Sequence, residues 1–418
     1  MGACTHHLFD HQHTIQRLLL CIASAFFGHY YIYTVLAHRR PAFTLCIRAE
    51  ENPNDMDSPG CCDFGNCLCP RRPADYRFFS VNAEIESFEP INTENLPITY
   101  DKDTGVYTIV QPNDRELRIL QLTDIHLSCG IFSIEQDKKA VLACQKLIQA
   151  AKPDLVIVTG DLAYPIGIQT LSQNNHLPIT AFAKMMEHLN VPWAFVYGNH
   201  DTEKAAVYSG QELNQMLCRQ YALRRQGDGK LLLMAEIQPN IYGRYNQYIR
   251  IENKFGELER LLFLMDSNDY SPRGYDCIHE DQVQWYEEVS KANPVPSFLF
   301  QHIPFHEYFD AEQALWAGDP DAERSFGLNR EAVHGPAMPS RIFEAMIAQG
   351  TTQAVFCGHD HMNTLGVRYQ GIDLVYGMSI DYLAYPGIHR LHAQRGATLI
   401  LCSGNYYEIQ QLALYEIP

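Results

Sequence analysis

Five short clusters in this chain carry residue types that bind metal ions through oxygen and nitrogen. They are Asp124-Ile125-His126, Gly160-Asp161, Gly198-Asn199-His200-Asp201, Gln301-His302 and Gly358-His359-Asp360-His361. Carboxylate oxygens and imidazole nitrogens together suit Zn, Mn or Fe. No cysteine falls in a ligand position, which argues against a structural zinc site. Two metal ions about 3.5–4 Å apart need a ligand that reaches both. A carboxylate can bridge and an imidazole normally does not, so Asp161 is the natural bridge. Taken singly these clusters mean little: a lone D-x-H or H-x-H is common, and Asn199 alone reads as a turn residue. Their joint placement is what carries weight, and it depends on the elements around them.

Each cluster follows an apolar run that reads as a strand. Residues 117–123, 155–159, 194–197, 297–300 and 354–356 are such runs, and further strands are expected over 246–251, 259–265, 372–376 and 397–401. Helical periodicity fits residues 138–151, 181–189 and 280–292, and Ser340 is placed to cap a helix ending near Gly350. Strands alternating with helices, then strands late in the chain, predict a layered α/β domain of two packed sheets over residues 116–418. In such sheets ligands bind beyond the carboxyl ends of the strands, so five strand ends would deliver carboxylate, amide and imidazole groups to one place. The glycines before Asp161, Asn199 and His359 would let the backbone leave the strand sharply.

Composition sets the outer limits. The 418 residues are 46% hydrophobic and 19% charged, which suits a large folded domain with an appendage. Thirty-two basic against 49 acidic residues leave a formal charge of -17, which repels nucleic-acid backbones and excludes a dedicated nucleic-acid binder. A small phosphorylated substrate or a phosphoprotein is still admissible where bound cations invert the local field. Residues 18–37 lack Lys, Arg, Asp and Glu over 20 positions, just enough for one membrane span. This segment of region 1–40 reads equally as a membrane anchor and as a buried or interfacial helix, with its orientation open. Residues 41–75 read as a linker and 78–110 as short extended runs, so 41–115 is a linker plus a small β appendage. Four of the 13 cysteines fall in Cys61-Cys62-Asp63-Phe64-Gly65-Asn66-Cys67-Leu68-Cys69, which reads as a cysteine-rich loop because C-x-x-C spacing is missing. Most of the scattered ones (Cys129, Cys144, Cys218, Cys277, Cys357, Cys402) read as small buried hydrophobes.

The ordered set D-x-H, G-D, G-N-H-D, H and G-H-x-H, from Leu117 to the C-terminus, resembles the calcineurin-like metallophosphoesterase superfamily. The resemblance implies a two-sheet αββα sandwich holding two divalent or trivalent metal ions (Mn, Zn or Fe). Asp124, His126 and His361 would hold one metal and Asn199, His302 and His359 the other, with Asp161 between them. His200 would act beside the leaving group with Asp201 orienting it, although Asp201 also reads as a helix cap. Gly160-Asp161-Leu162-Ala163-Tyr164 resembles the G-D-x-x-Y of purple acid phosphatases. His126 stands where those enzymes carry D-x-G, so Tyr164 reads as a pocket or packing residue. The activity implied is hydrolysis of phosphate monoesters, with phosphodiesters and a non-catalytic binding role as alternatives. His306 and Tyr308 read either as pocket-lining or as exposed loop residues.

Overall fold

A computed structural model describes residues 32–34, 45–47, 73–91, 95–112, 114–385, 388 and 394–418, with side chains from residue 80 onward. The cysteine-rich run 61–69 lies outside the described residues. The chain divides into units 1–69 and 70–418. In the first, β1 (Ile32–Thr34) pairs antiparallel with β2 (Leu45–Ile47). The described part of the apolar segment 18–37 is thus a strand, and the rest of that segment lies outside the described residues. Among the described residues no helix is long and apolar enough to cross a membrane.

The second unit begins with α1 (Pro73–Glu86), β3 (Ile98–Asp101) and β4 (Val106–Val110). A first half follows: β5 (Leu117–Leu122), α2 (Ile134–Ala151), β6 (Leu155–Thr159), the single turn α3 (Gly167–Thr170), α4 (His176–Leu189), β7 (Trp193–Val196) and α5 (Gly210–Gln220). Next come β8 (Gln247–Glu252), β9 (Leu258–Leu264), the hairpin β10 (Tyr270–Ser271) and β11 (Gly274–Tyr275), α6 (Glu280–Ala292), β12 (Ser297–Phe300) and α7 (His306–Ala317). The chain continues through β13 (Ala322–Phe326), α8 (Ile342–Gln349), β14 (Thr352–Cys357), β15 (Gly366–Tyr369), β16 (Ile372–Tyr376), β17 (Gly396–Ser403) and β18 (Tyr406–Ala413). A five-stranded sheet runs β18-β17-β5-β6-β7, and a nine-stranded sheet runs β13-β15-β16-β14-β12-β9-β8-β4-β3.

The continuous apolar strands arise because both faces of each sheet are covered. On β5, Leu117 and Ile119 face the other sheet while Leu120 and Leu122 face the helices. On β12 and β14, Phe298, Phe300, Ala354 and Phe356 enter the layer between the sheets, and Leu299, Val355 and Cys357 turn to the opposite side. One outer layer is α2 and α4, contributing Val141, Leu147, Ile148, Phe182 and Met186. The other is α6, α7 and α8, contributing Val283, Tyr286, Tyr308, Phe343 and Met346. The architecture is therefore the expected two-sheet αββα sandwich. On α2 the buried positions recur at helical spacing, Glu135 and Asp137 sit at the positive end of the dipole, and Lys152 closes the helix in the left-handed conformation at φ 46° before Pro153.

Two sequence expectations change here. Residues 78–86, expected to be extended, belong to α1, whose Val81 and Ile85 bury against α2 and α4. The strands β3 and β4 are no appendage: β4 pairs parallel with β8 and extends the nine-stranded sheet. Ser340 sits one residue before the N-cap position, which Arg341 holds, and its hydroxyl accepts the Ile342 N–H at 3.3 Å at the start of α8 while donating to the Ile278 carbonyl. Of the scattered cysteines, Cys129, Cys144, Cys357 and Cys402 are buried, and Cys218 and Cys277 are partly exposed.

Candidate metal centre

In the five-stranded sheet β5, β6 and β7 are parallel, and in the nine-stranded sheet β9, β12, β14 and β16 are parallel. Asp124, Asp161 and Asn199 follow the first set of strand ends, and His302, His359 and His361 the second. Thr123 bridges to Ser379, and the Gln121 amide donates to the Cys357 carbonyl, so the sheets are tied together beneath the site. The backbone leaves the strands in an unusual way. Asp124, His126, Asp161 and His359 all adopt positive φ, at 51°, 54°, 52° and 75°. Left-handed backbone in non-glycine residues costs about 1–3 kcal/mol each and persists where the surroundings over-determine it. Gly198 is required by crowding: a Cβ there would run into Asp161 Oδ1 and its backbone nitrogen.

The side chains converge on Asp161. Its Oδ2 lies 3.2 Å from both His126 Nε2 and His302 Nε2. His302 Nε2 is also 3.1 Å from Asn199 Oδ1, and His361 Nε2 is 3.4 Å from Asp124 Oδ1. Ligand atoms of Asp124, His126, Asp161 and His361 all lie within 4.8 Å of one another. His359 joins through its backbone N–H, which donates to Asp124, and its ring stands edge-on to His302 with centroids 5.2 Å apart.

The far nitrogens of the rings show what the site is built to hold. His302 Nδ1–H donates to the Thr159 carbonyl at 2.9 Å, and His361 Nδ1–H donates to Asp381 Oδ2 at 3.1 Å. His126 Nδ1 stands 3.4 Å from Asp381 Oδ1. Each of these imidazoles thus has Nδ1 against a protein oxygen and Nε2 turned toward the carboxylates, as in metal-binding histidines. Burial disfavours charge on His126 and His302, but their carboxylate neighbours outweigh it and raise both to about 9. Burial raises Asp161, yet the surrounding imidazoles hold it well below the usual carboxylate range. Burial and the neighbouring His302 push His359 down to about 3. The carboxylates favour positive charge at this centre, and the clustered oxygen and nitrogen donors of Asp124, His126, Asp161 and His361 could hold metal.

Asp381 was not picked out from the sequence. It follows β16, accepts N–H groups from Leu383, Ala384 and Tyr385, and faces both His126 and His361. A carboxylate just past a strand end was the signal available. Asp201 does not orient His200. Its carboxylate accepts the N–H groups of Asp161, Ala163 and Gly198, bracing the loop beneath the centre. Burial and the charge of Asp161 raise it to about 6. The carboxylate beside His200 is Glu203, 2.7 Å from Nδ1. Tyr164 is a packing residue: its ring stacks on His126 at 5.1 Å and its hydroxyl donates to Gln169. Tyr308 does not line this site; it is buried, with its hydroxyl donating to the Val355 carbonyl, and His306 is the exposed first residue of α7.

Comparison with known proteins agrees with the sequence resemblance. The calcineurin-like phosphoesterase family model matches residues 117–363. A protein named Probable inactive purple acid phosphatase 29, from Arabidopsis thaliana, is 27% identical over 303 residues, covering 65% of this chain and 73% of its own length. Phosphatase DCR2 of Saccharomyces cerevisiae is 27% identical over 288 residues, covering 64% of this chain and 47% of that protein. A solved dimetal phosphatase from Danio rerio overlays 72% of this chain and 97% of its own, with a TM-score of 0.46 and 12% identity.

Proposed function

Because this chain belongs to the calcineurin-like phosphoesterase family, we propose that it is a dinuclear metal-dependent hydrolase of phosphate esters. The observation that carries the reading is Asp161 Oδ2, 3.2 Å from imidazole nitrogens supplied by both sheets. Asp124, His126 and His361 would hold one ion, Asn199, His302 and His359 the other, and Asp161 both. Bound metals supply Lewis acidity toward the phosphoryl oxygens and lower the pKa of water toward ~7. Oxygen and nitrogen donors of this kind suit Mn, Zn or Fe.

The chain's own residues do the positioning. Thr159 and Asp381 fix the orientation of His302 and His361, so Nε2 of each faces inward. The His200 backbone N–H donates to Asp161 Oδ1 at 2.8 Å, and its ring stands 5.4 Å from that of His126. With Nδ1 held by Glu203, His200 Nε2 is the atom that handles a proton at the ester oxygen. Tyr164, Tyr275 and Tyr385 pack against His126, His359 and His361 and make the walls around the site aromatic.

The test is a purified-protein assay with a phosphate monoester and a diester, after chelation and after return of Mn, Zn or Fe. Metal-restored hydrolysis is the expected result, with the monoester preferred; undiminished activity in metal-free protein overturns the reading. A non-catalytic role is favoured by one observation, the word inactive in the name of a relative. It predicts metal binding with no hydrolysis of either ester.

A further inference from the structure

Glu203 plays no part in the motif pattern, yet it is the group closest to the His200 ring. A backbone hydrogen bond from Glu203 N–H to the His200 carbonyl closes a turn that brings the two side chains together. Glu203 Oε1 then lies 2.7 Å from His200 Nδ1, and the carboxylate is largely sheltered, with 18% of its side chain exposed. The same oxygen accepts from the Tyr270 hydroxyl at 3.2 Å, and that hydroxyl accepts from Asn199 Nδ2 at 2.8 Å. Glu203 is therefore fixed from β10 on one side and holds the ring on the other. Asp201, the neighbouring acid, is fully committed to backbone N–H groups on the far side of the loop.

We infer that Glu203 is the positioning residue for His200, placing its Nε2 to give a proton to the leaving oxygen, with Tyr270 steadying the carboxylate. The inference rests on the phosphoesterase reading. In the step concerned water adds to phosphorus and loses a proton to solvent. The P–O ester bond breaks with its electron pair going to the leaving oxygen, and that oxygen takes the proton from His200 Nε2. Glu203 touches neither water nor ester and acts only through the imidazole.

A leaving oxygen that is stable as an anion needs no proton, whereas a basic one does. The test uses the metal-loaded full chain and aryl phosphates of graded leaving-group acidity, from p-nitrophenyl to phenyl phosphate. General acid assistance contributes about 10²–10⁴-fold. Glu203→Gln is expected to lower kcat for phenyl phosphate by about 10²-fold, and for p-nitrophenyl phosphate much less, with KM unchanged. In a His200→Ala background the same substitution should add nothing, because the two residues act as one unit. An equal loss for every ester, a further loss in the His200→Ala background, or no loss at all overturns the inference. If the wild type hydrolyses no ester with any metal, the phosphoesterase reading fails and the positioning role is read by NMR of ¹⁵N-histidine-labelled protein. A downfield Nδ1–H proton of His200 that Glu203→Gln abolishes is the expected signature, and its absence in the wild type rejects the placement.

Discussion

In the proposed centre Asp161 would be shared by both metal ions, whereas every other candidate ligand would serve one. Asp161→Asn should therefore release both ions, and elemental analysis should find metal content falling further than in any variant of a terminal ligand. Hydrolysis should fall by at least about 10²–10³-fold, the range for losing one preorganised electrostatic contact. Asp381→Asn tests a subtler dependence. The carboxylate holds His361 Nδ1 at 3.1 Å and faces His126 Nδ1 at 3.4 Å without facing the metal cavity itself. Losing such support typically weakens metal binding about 10–100-fold, which competition with a graded chelator would measure; an unchanged affinity would show that the rings need no outer anchor. Tyr164 makes a third test. With its hydroxyl donating to Gln169 and His126 inward beside Asp161, iron-loaded protein should lack a purple absorption band. A strong visible band that vanishes in Tyr164→Phe would reverse that assignment. The residues facing the cavity were legible in the sequence because their types and order are distinctive. Asp381 and Glu203 were not, because a single acid past a strand or turn looks like any solvated loop residue until the chain is folded.

Elements buried on both faces announced themselves through apolar runs, and β6 and β12 match the expected ranges to the residue; β16, interrupted by Asp373, and α6, read from its helical period, do so too. The elements that were missed have weaker patterns. In α5 the buried positions Gly210, Leu213 and Leu217 are few, although Ser209 and Glu212 form a capping box that was readable. In α7 only Tyr308 and Ala311 are buried, and exposed Phe309 and Trp316 blur the helical stripe. That helix also carries a pH dependence. Burial, with Asp310 and Glu344 nearby, raises Glu307 from the usual 4.5 to about 7. Between those values the folded state holds a proton that the unfolded chain has released, so this group's contribution to stability falls as pH rises through that window. Glu307→Gln removes the dependence. Thermal melting should show the variant more stable than the wild type above pH 7, with the difference vanishing below about pH 4.5. A difference independent of pH would mean that Glu307 does not titrate with folding.

At the scale of the whole chain the question is where the catalytic fold begins. The five clusters placed it near Leu117, and a linker was expected to run to residue 75. The sandwich in fact recruits sequence from α1 onward. Val81, Ile85, Phe88 and Ile91 are buried among side chains of α2 and α4, and the Ile91 N–H donates to the Leu189 carbonyl. Their stretch was expected to be extended rather than helical, because Val81 and Ile85 bury one narrow stripe of a polar helix, and such a stripe is weak beside the continuous runs of the sheets. Two truncations separate the possibilities. Removing residues 1–69 follows the boundary between the two units and should leave a folded protein with metal-dependent hydrolysis intact. Removing residues 1–91 takes away four buried apolar side chains among the described residues. Each is worth about 1.5–3 kcal/mol, so roughly 6–12 kcal/mol is lost as an upper limit. Domains are stable by only about 5–15 kcal/mol, and the bare faces of α2 and α4 would be exposed to water. The longer truncation should melt far lower or aggregate, even though every candidate metal ligand is still present. Thermal melting of both proteins with and without metal decides it. A longer truncation as stable as the shorter one would mean that α1 only lies against the sandwich, and an insoluble shorter one would mean that residues 1–69 also hold the fold together.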